Sequence, residues 1–324
     1  MRRIALALTV LLLAASCSLG LLDHQDDDLE KAGTFEGIDL VASGAVTNAN
    51  DWYALIMTDT HVGRATEDYP DNFAWFQTWY NDNANRSASD GIPISFLIHL
   101  GDLTDGSYES QYLEARRQYL GDLSDTYAYF IGASGSGRTV PFFFTPGNHD
   151  VRKSGRDHFL TYFGPGEWKL VVGDVSLYGL DSGRRYFGGT QIDKLEDALK
   201  KDSNKKLFFS HIPLSDQNLV YTYLTLTDEE ERARMIHDMV VYGASAYIDG
   251  HRHLLVGPYH ITDDLQEISL SCLNGPDMLT EKAPVWYILH YDGSAAQATI
   301  TQYRISSKDK CLDPSTKRVM TIRF

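Results

Sequence analysis

From Asp51 onward the chain alternates short β-type apolar runs with stretches of helical character, and this alternation constrains its fold more than any other feature. Residues 53–58, 94–100, 142–144, 169–172, 175–180, 207–210 and 244–248 read as strands. Residues 71–83, 108–123, 155–163, 191–201 and 227–241 read as helices. Beyond Leu254 strands predominate, clearest at 285–291 and 298–305. Such alternation, closing in a β-rich tail, predicts α/β layers around two packed sheets. An apolar content of 43% and an aromatic content of 12% can fill the large core this needs. No internal repeat is visible.

Five of the apolar runs are followed at once, or shortly after, by residues that bind metals. Asp59 and His61 follow the first. Gly101-Asp102-Leu103-Thr104-Asp105 follows 94–100, and Gly147-Asn148-His149-Asp150 comes shortly after the triple Phe. His211 follows 207–210, and Gly250-His251-Arg252-His253 follows 244–249. Ligands in open α/β sheets gather beyond the carboxyl ends of strands, so these residues are expected on one rim. The i, i+2 spacing of Asp59/His61 and of His251/His253 puts each pair on one side of a locally extended segment. The three glycines allow tight turns and close backbone approach. Alone, a Gly-Asp is ordinarily a turn, a Gly-Asn-His-Asp an Asx loop, a His-x-His a structural or surface pair, and His211 a core histidine. Together, in order and after strands, they point to one metal centre. Imidazole and carboxylate without thiolate suit Mn, Fe or Zn.

The set resembles the motif series of the calcineurin-like metallophosphoesterase family: D-x-H, GD-x-x-D, GNH-D/E, an isolated His and GH-x-H. The resemblance covers about residues 51–260. It implies a four-layer αββα sandwich of two mixed β-sheets flanked by helices, and two divalent ions as cofactors. Asp59, His61 and His253 would hold one ion, Asn148, His211 and His251 the other, and Asp102 would bridge them. Asp59, Asp102 and a bridging hydroxide would set three negative charges against four positive ones. The neutral Asn148 preserves the excess, which attracts a phosphate ester. The implied activity is hydrolysis of a phosphomonoester or phosphodiester, with the hydroxide as nucleophile. His149 would protonate the leaving group or bind a phosphoryl oxygen, with Asp150 orienting its ring. The bland alternative for His149 is a supporting hydrogen bond.

Asp105 stands where some purple acid phosphatases carry a ligand Tyr, so no tyrosinate–iron colour is expected. Ile212-Pro213-Leu214 varies the usual His-x-Pro without touching a ligand. A nuclease or cyclic-nucleotide phosphodiesterase of the same chemistry is the first rival reading. A non-catalytic surface-binding lipoprotein is the second, and the full ligand set argues against it. Arg64 and Arg152 are either phosphate contacts or solvated cations. Tyr221 and Tyr223 either wall the pocket or pack in the core. His99 either supports a ligand from behind or is simply buried. The Gly- and Ser-rich residues 132–138 suit a mobile loop beside the site.

The first residues carry a targeting signal. Arg2 and Arg3 precede an apolar run over 4–15, too short to span a bilayer and sized for a signal peptide. Ala14-Ala15-Ser16-Cys17 is similar to a bacterial lipobox, with Ala14 where Leu is usual. The expected division is a signal peptide at 1–16, a lipidated Cys17 with an acidic tether over 17–44, and a catalytic domain over 45–324. That places the chain in the bacterial cell envelope, anchored through lipid, on the periplasmic or surface face. An ordinary cleaved signal and an uncleaved anchor are the alternatives. Cys272 and Cys311 remain, and in an oxidising compartment they either pair or stay free. The net charge is −15, or −17 once Arg2 and Arg3 leave with the leader. That repels long polyanions and fits a small phosphate ester better than extended nucleic acid.

Overall fold

The strand runs assemble into two mixed seven-stranded sheets in a computed structural model. It describes residues 33–64, 69–84, 91–120, 129–131, 139–215, 224–273, 284–304 and 318–324. The expected signal peptide, Cys17, the 132–138 loop, Tyr221, Tyr223 and Cys311 lie outside the described residues.

The first sheet contains β1 (Ile38–Asp39), β6 (Trp168–Val172), β7 (Val175–Gly179), β8 (Lys205–Phe209), β9 (Ala244–Asp249), β11 (Gln266–Ser269) and β10 (Val256–His260), in that spatial order. Its β7, β8, β9 and β11 run parallel. The second has β14 (Val319–Arg323), β13 (Gln297–Arg304), β12 (Val285–Asp292), β2 (Asp51–Met57), β3 (Ile94–His99), β5 (Thr139–Phe144) and β4 (Tyr129–Ile131). Here β2, β3 and β5 are parallel, and β12 joins β2 antiparallel.

Side chains alternate faces along a strand, so an apolar run buried on both sides serves two cores. Trp52, Ala54 and Ile56 of β2, with Phe96 and Ile98 of β3, face Leu177, Leu207, Phe209 and Ile248 of the other sheet. Leu55, Met57 and Leu97 point outward to α1 (Tyr69–Ala84), α2 (Glu109–Leu120) and α3 (Gly155–Phe163). Tyr178, Phe208 and Tyr247 point outward to α4 (Gly189–Leu199) and α5 (Glu229–Val241). Helices, sheet, sheet and helices make the expected four layers. The Asp228 side chain caps α5 by accepting from Glu230 and Glu231 N–H, and three glutamates in the first turn suit the helix dipole.

The tether expectation needs correction at its C-terminal end. Ile38 and Asp39 pair in parallel with Leu170 and Val171, and Phe35 and Leu40 are buried. Residues 33–44 therefore pack onto the domain. Two apolar anchors inside an acidic stretch outweigh its overall composition. Cys272 is buried with a free thiol. Among the described residues no helix is long and apolar enough to cross a membrane.

Candidate metal centre

Parallel neighbours end side by side, so the loops after β2, β3 and β5 meet those after β8 and β9 at one rim of the sandwich. Asp59, His61, Asp102 and Asn148 come from one sheet, and His211, His251 and His253 from the other. Five of these seven have left-handed backbones: Asp59 (φ 52°), His61 (46°), Asp102 (51°), His251 (65°) and His253 (52°). The expected extended i, i+2 geometry is therefore wrong for both pairs. The side chains converge because the loops turn sharply, a strain that surrounding contacts must hold. Asp59 N–H donates to Gly101 O at 3.0 Å, His61 N–H to Asp102 O at 2.9 Å, and Gly250 N–H to His211 O at 3.1 Å. A side chain on Gly147 would strike the amide and carboxylate of Asp102, and one on Gly250 would strike Thr58 and Asp59.

The ligand atoms of Asp59, His61, Asp102 and His253 lie within 4.8 Å of one another, as do those of Asp102, His211 and His251. Asp102 belongs to both groups. His253 Nε2 lies 3.1 Å from Asp59 Oδ1, and His61 Nε2 lies 3.7 Å from Asp102 Oδ2. His211 Nε2 is 3.2 Å from Asn148 Oδ1 and 3.4 Å from Asp102 Oδ1. Its Nδ1 is 2.8 Å from the Leu100 carbonyl, which makes Nδ1 the protonated nitrogen and turns Nε2 to the site. All seven expected ligands are thus brought together.

The residues fit a divalent cation. Asp59 Oδ2 already accepts from Thr58 Oγ1 (2.6 Å) and the His251 amide (3.1 Å), while the buried Oδ1 faces the site beside His253 Nε2. Buried carboxylate oxygens converging with imidazole nitrogens are a donor set for Zn, Mn or Fe. The electrostatics agree. Burial opposes charge at His253, but the Asp59 carboxylate outweighs it and raises the pKa to about 11. Asp102 does the same at His211, raising it to about 9. Burial also opposes ionisation of Asp59 and Asp102, and the same imidazoles hold both well below the usual carboxylate range. Burial keeps His251 neutral, with a pKa of about 3.

His149 projects into the same space, its Nε2 3.9 Å from Asp102 Oδ2. Asp150 does not orient its ring. The buried Asp150 carboxylate accepts from the amides of Leu103 (3.0 Å), Thr104 (2.8 Å) and Gly147 (2.9 Å), and from Thr104 Oγ1 (3.0 Å). It cross-braces the two Gly-containing loops. The partner of His149 Nδ1 is the Asp105 carbonyl at 2.6 Å. The Asp105 carboxylate also lies 3.4 Å from His61 Nδ1 and 3.6 Å from Arg64 Nε. Sequence reasoning missed this role, although the second Asp of GD-x-x-D was in view. His99 is wholly buried, accepting from the Gly101 amide at 3.2 Å and meeting Thr60 Oγ1 at 3.1 Å, so it supports both ligand loops from behind. Burial holds it neutral, with a pKa of about 3. Arg152 is exposed.

Two mixed sheets flanked by helices, with clustered Asp and His at their joint rim, define a metallophosphatase type of scaffold. The family profile described as calcineurin-like phosphoesterase matches residues 54–255. The chain belongs to that family. Among solved structures, GAP50, described as the anchor in the inner membrane complex of Plasmodium, superposes with a TM-score of 0.55 at 11% identity, covering 85% of this chain and 90% of its own. Phosphopantetheinyl hydrolase from Mycobacterium tuberculosis gives 0.42 at 11% identity, covering 70% and 92%. A predicted phosphoesterase from Streptococcus pneumoniae TIGR4 gives 0.40 at 10% identity, covering 84% and 98%. At such identities the likeness to GAP50 is one of fold. No curated protein sequence matches this chain at a significant level. Family membership and the clustered ligands together support metal-dependent phosphoester hydrolysis in general.

Proposed function

We propose that this chain hydrolyses a small phosphomonoester or phosphodiester with two divalent ions of Mn, Fe or Zn. The observation that carries this reading is the pair of ligand clusters sharing one carboxylate, Asp102. Asp59, His61, Asp102 and His253 would hold one ion, and Asp102, Asn148, His211 and His251 the other. Two such ions supply, when bound, Lewis-acid polarisation of the phosphoryl group and acidity for the attacking water.

The chain's own residues supply the rest. His149 keeps Nδ1–H on the Asp105 carbonyl, so Nε2 is the atom that faces the reaction. From Nε2 it delivers a proton to the ester oxygen as the P–O bond breaks, and the product leaves as an alcohol. The Asp105 carboxylate also lies 3.8 Å from Nδ1. Arg64, held beside Asp105, is placed to meet a phosphoryl oxygen. The charge of −15 disfavours long nucleic acid as substrate. The 1–16 leader and Cys17 support an exported, lipid-anchored chain of the bacterial envelope. Mass analysis of the mature N-terminus tests that part, and an unmodified Cys17 would refute it.

The full chain in detergent, stripped of metal and refilled separately with Mn, Zn and Fe, is assayed on p-nitrophenyl phosphate and bis-p-nitrophenyl phosphate. His149→Ala and Asp102→Ala serve as controls. Metal-dependent turnover lost in both variants is expected, and the preferred ester assigns phosphatase or phosphodiesterase. Two ions bound without turnover of either ester would favour a binding role. Failure to bind any ion would overturn the reading.

A further inference from the structure

The segment after His211 is held by side chains rather than by a sheet ladder. Ile212 N–H donates to Ser182 Oγ at 2.9 Å, and Tyr247 OH donates to Ile212 O at 2.7 Å. Leu214 and Ser215 N–H both donate to Glu267 Oε1, at 2.7 and 3.2 Å, and Ser215 Oγ donates to Glu267 Oε2. Glu267 lies on β11, fully buried. The Ser215 carbonyl accepts from the Arg252 guanidinium, whose other arm donates to Ser269 Oγ at 3.0 Å. Arg252 is 7% exposed and stands between His251 and His253 in sequence. Ser215 is therefore gripped by a buried anion on one side and a buried cation on the other. A buried carboxylate and guanidinium are costly unless hydrogen-bonded, and charge-assisted bonds of this kind hold geometry firmly.

We propose that Glu267 and Arg252 are positioning residues that clamp the His211 loop against the His251 loop and so set the half of the centre made by Asp102, His211 and His251. This rests on the metal-binding reading above. The rings of His211 and His251 stand 5.0 Å apart, and the clamp is the link between their loops that reaches past both ligands to β11. The other half also takes His253 from the clamped loop, but its Asp59 and His61 lie on the loop after β2, which is held through Gly101 and Asp102. The clamp therefore bears on two ligands of one ion, His211 and His251, and on a single ligand of the other, His253.

Calorimetric titration of metal-stripped full chain with Zn or Mn resolves the two affinities, and Co absorption gives a spectroscopic signature of the disturbed site. Glu267→Ala should weaken the second ion by about 10- to 100-fold and the first by clearly less. Glu267→Gln, which keeps acceptors for Leu214 and Ser215, should recover part of the loss and serves if the Ala variant does not fold. Arg252→Lys, which cannot span Ser215 and Ser269 together, should reproduce the defect. Equal weakening of both ions, or none, overturns the proposal. Hydrogen exchange of the Leu214 and Ser215 amides in stripped protein is the independent arm: protection lost in Glu267→Ala is expected, and free exchange already in wild type refutes the clamp. Wild type that binds no ion overturns the metal reading itself, and the exchange arm then decides the clamp alone.

Discussion

The Nε2 atoms of His61 and His253 face each other at 3.2 Å across 192 positions of sequence. One ring rides on the loop after β2 and the other on the loop after β9, in different sheets. Two imidazole nitrogens this close, with a buried Asp59 oxygen beside them, call for a cation or a proton between them. Bound ions should therefore stabilise the fold by mass action, by about 2.7 kcal/mol when free metal is 100 times its dissociation constant. Calorimetric melting with metal and with excess chelator measures this. Coincident melts would contradict it.

Asp105 and Asp150 should separate cleanly by mutation. Asp105→Ala removes the carboxylate beside His61 Nδ1 and Arg64 but leaves the backbone carbonyl that holds His149. Metal affinity should fall by about 10- to 100-fold with the melting temperature of stripped protein almost unchanged. Unaltered affinity would sink the role assigned to its carboxylate.

Asp150→Ala should do the reverse. It strands the amides of Leu103, Thr104 and Gly147 inside the protein, at about 1–3 kcal/mol for each unsatisfied donor. Denaturant unfolding of stripped protein should show a loss of about 3 kcal/mol or more. A fully stable variant that had lost only turnover would restore the catalytic role first expected for this residue.

Gly147→Ala should abolish binding at both clusters at once. The added methyl would strike the Asp102 amide and the oxygen that Asp102 offers to the site, and Asp102 is shared. Titration that still finds either ion at wild-type affinity would show that the loop relaxes without moving Asp102.

The acid stability of the domain should depend on a site far from the rim. Burial disfavours the Asp202 carboxylate, but Lys169 Nζ at 2.8 Å and Tyr178 OH at 2.5 Å outweigh it and lower the pKa to about 2. An unfolded Asp titrates near about 3.9. The folded value is the lower, so the stabilisation is complete above pH 4 and is lost as pH falls through 2. Lys169→Met should therefore destabilise the protein more at pH 7 than at pH 2, in urea titrations at each pH. A difference that stays constant with pH would argue against the pairing.

The sequence was most legible where chemistry and periodicity coincide. The pattern over 155–163 predicts the helix that forms there, and the strand ends marked by Asp and His fall within two residues of the observed ones. The seven positions that meet at the rim were legible because few other arrangements put so many residues of ligating type after strands. Partnerships among short loops were not legible. Asp150 adjoins His149 in sequence and Asp105 lies 44 positions away, yet Asp150 reaches amides and the distant Asp105 reaches the ring. Left-handed backbone at Asp59 and His251 leaves no mark on composition, so an extended pairing looked sufficient. Phe35 and Leu40 hid in an acidic segment, and Arg252 and Glu267 are charged residues whose burial no local pattern announces.

Asp102, which belongs to one sheet, is shared by two clusters whose histidines come largely from the other. The rim is thus a clasp between the sheets as well as a cluster of ligands. On the reading proposed above, a bound pair of ions would rivet the sandwich along its own seam, and stripping the metal would loosen that seam while the apolar core between the sheets keeps the domain folded.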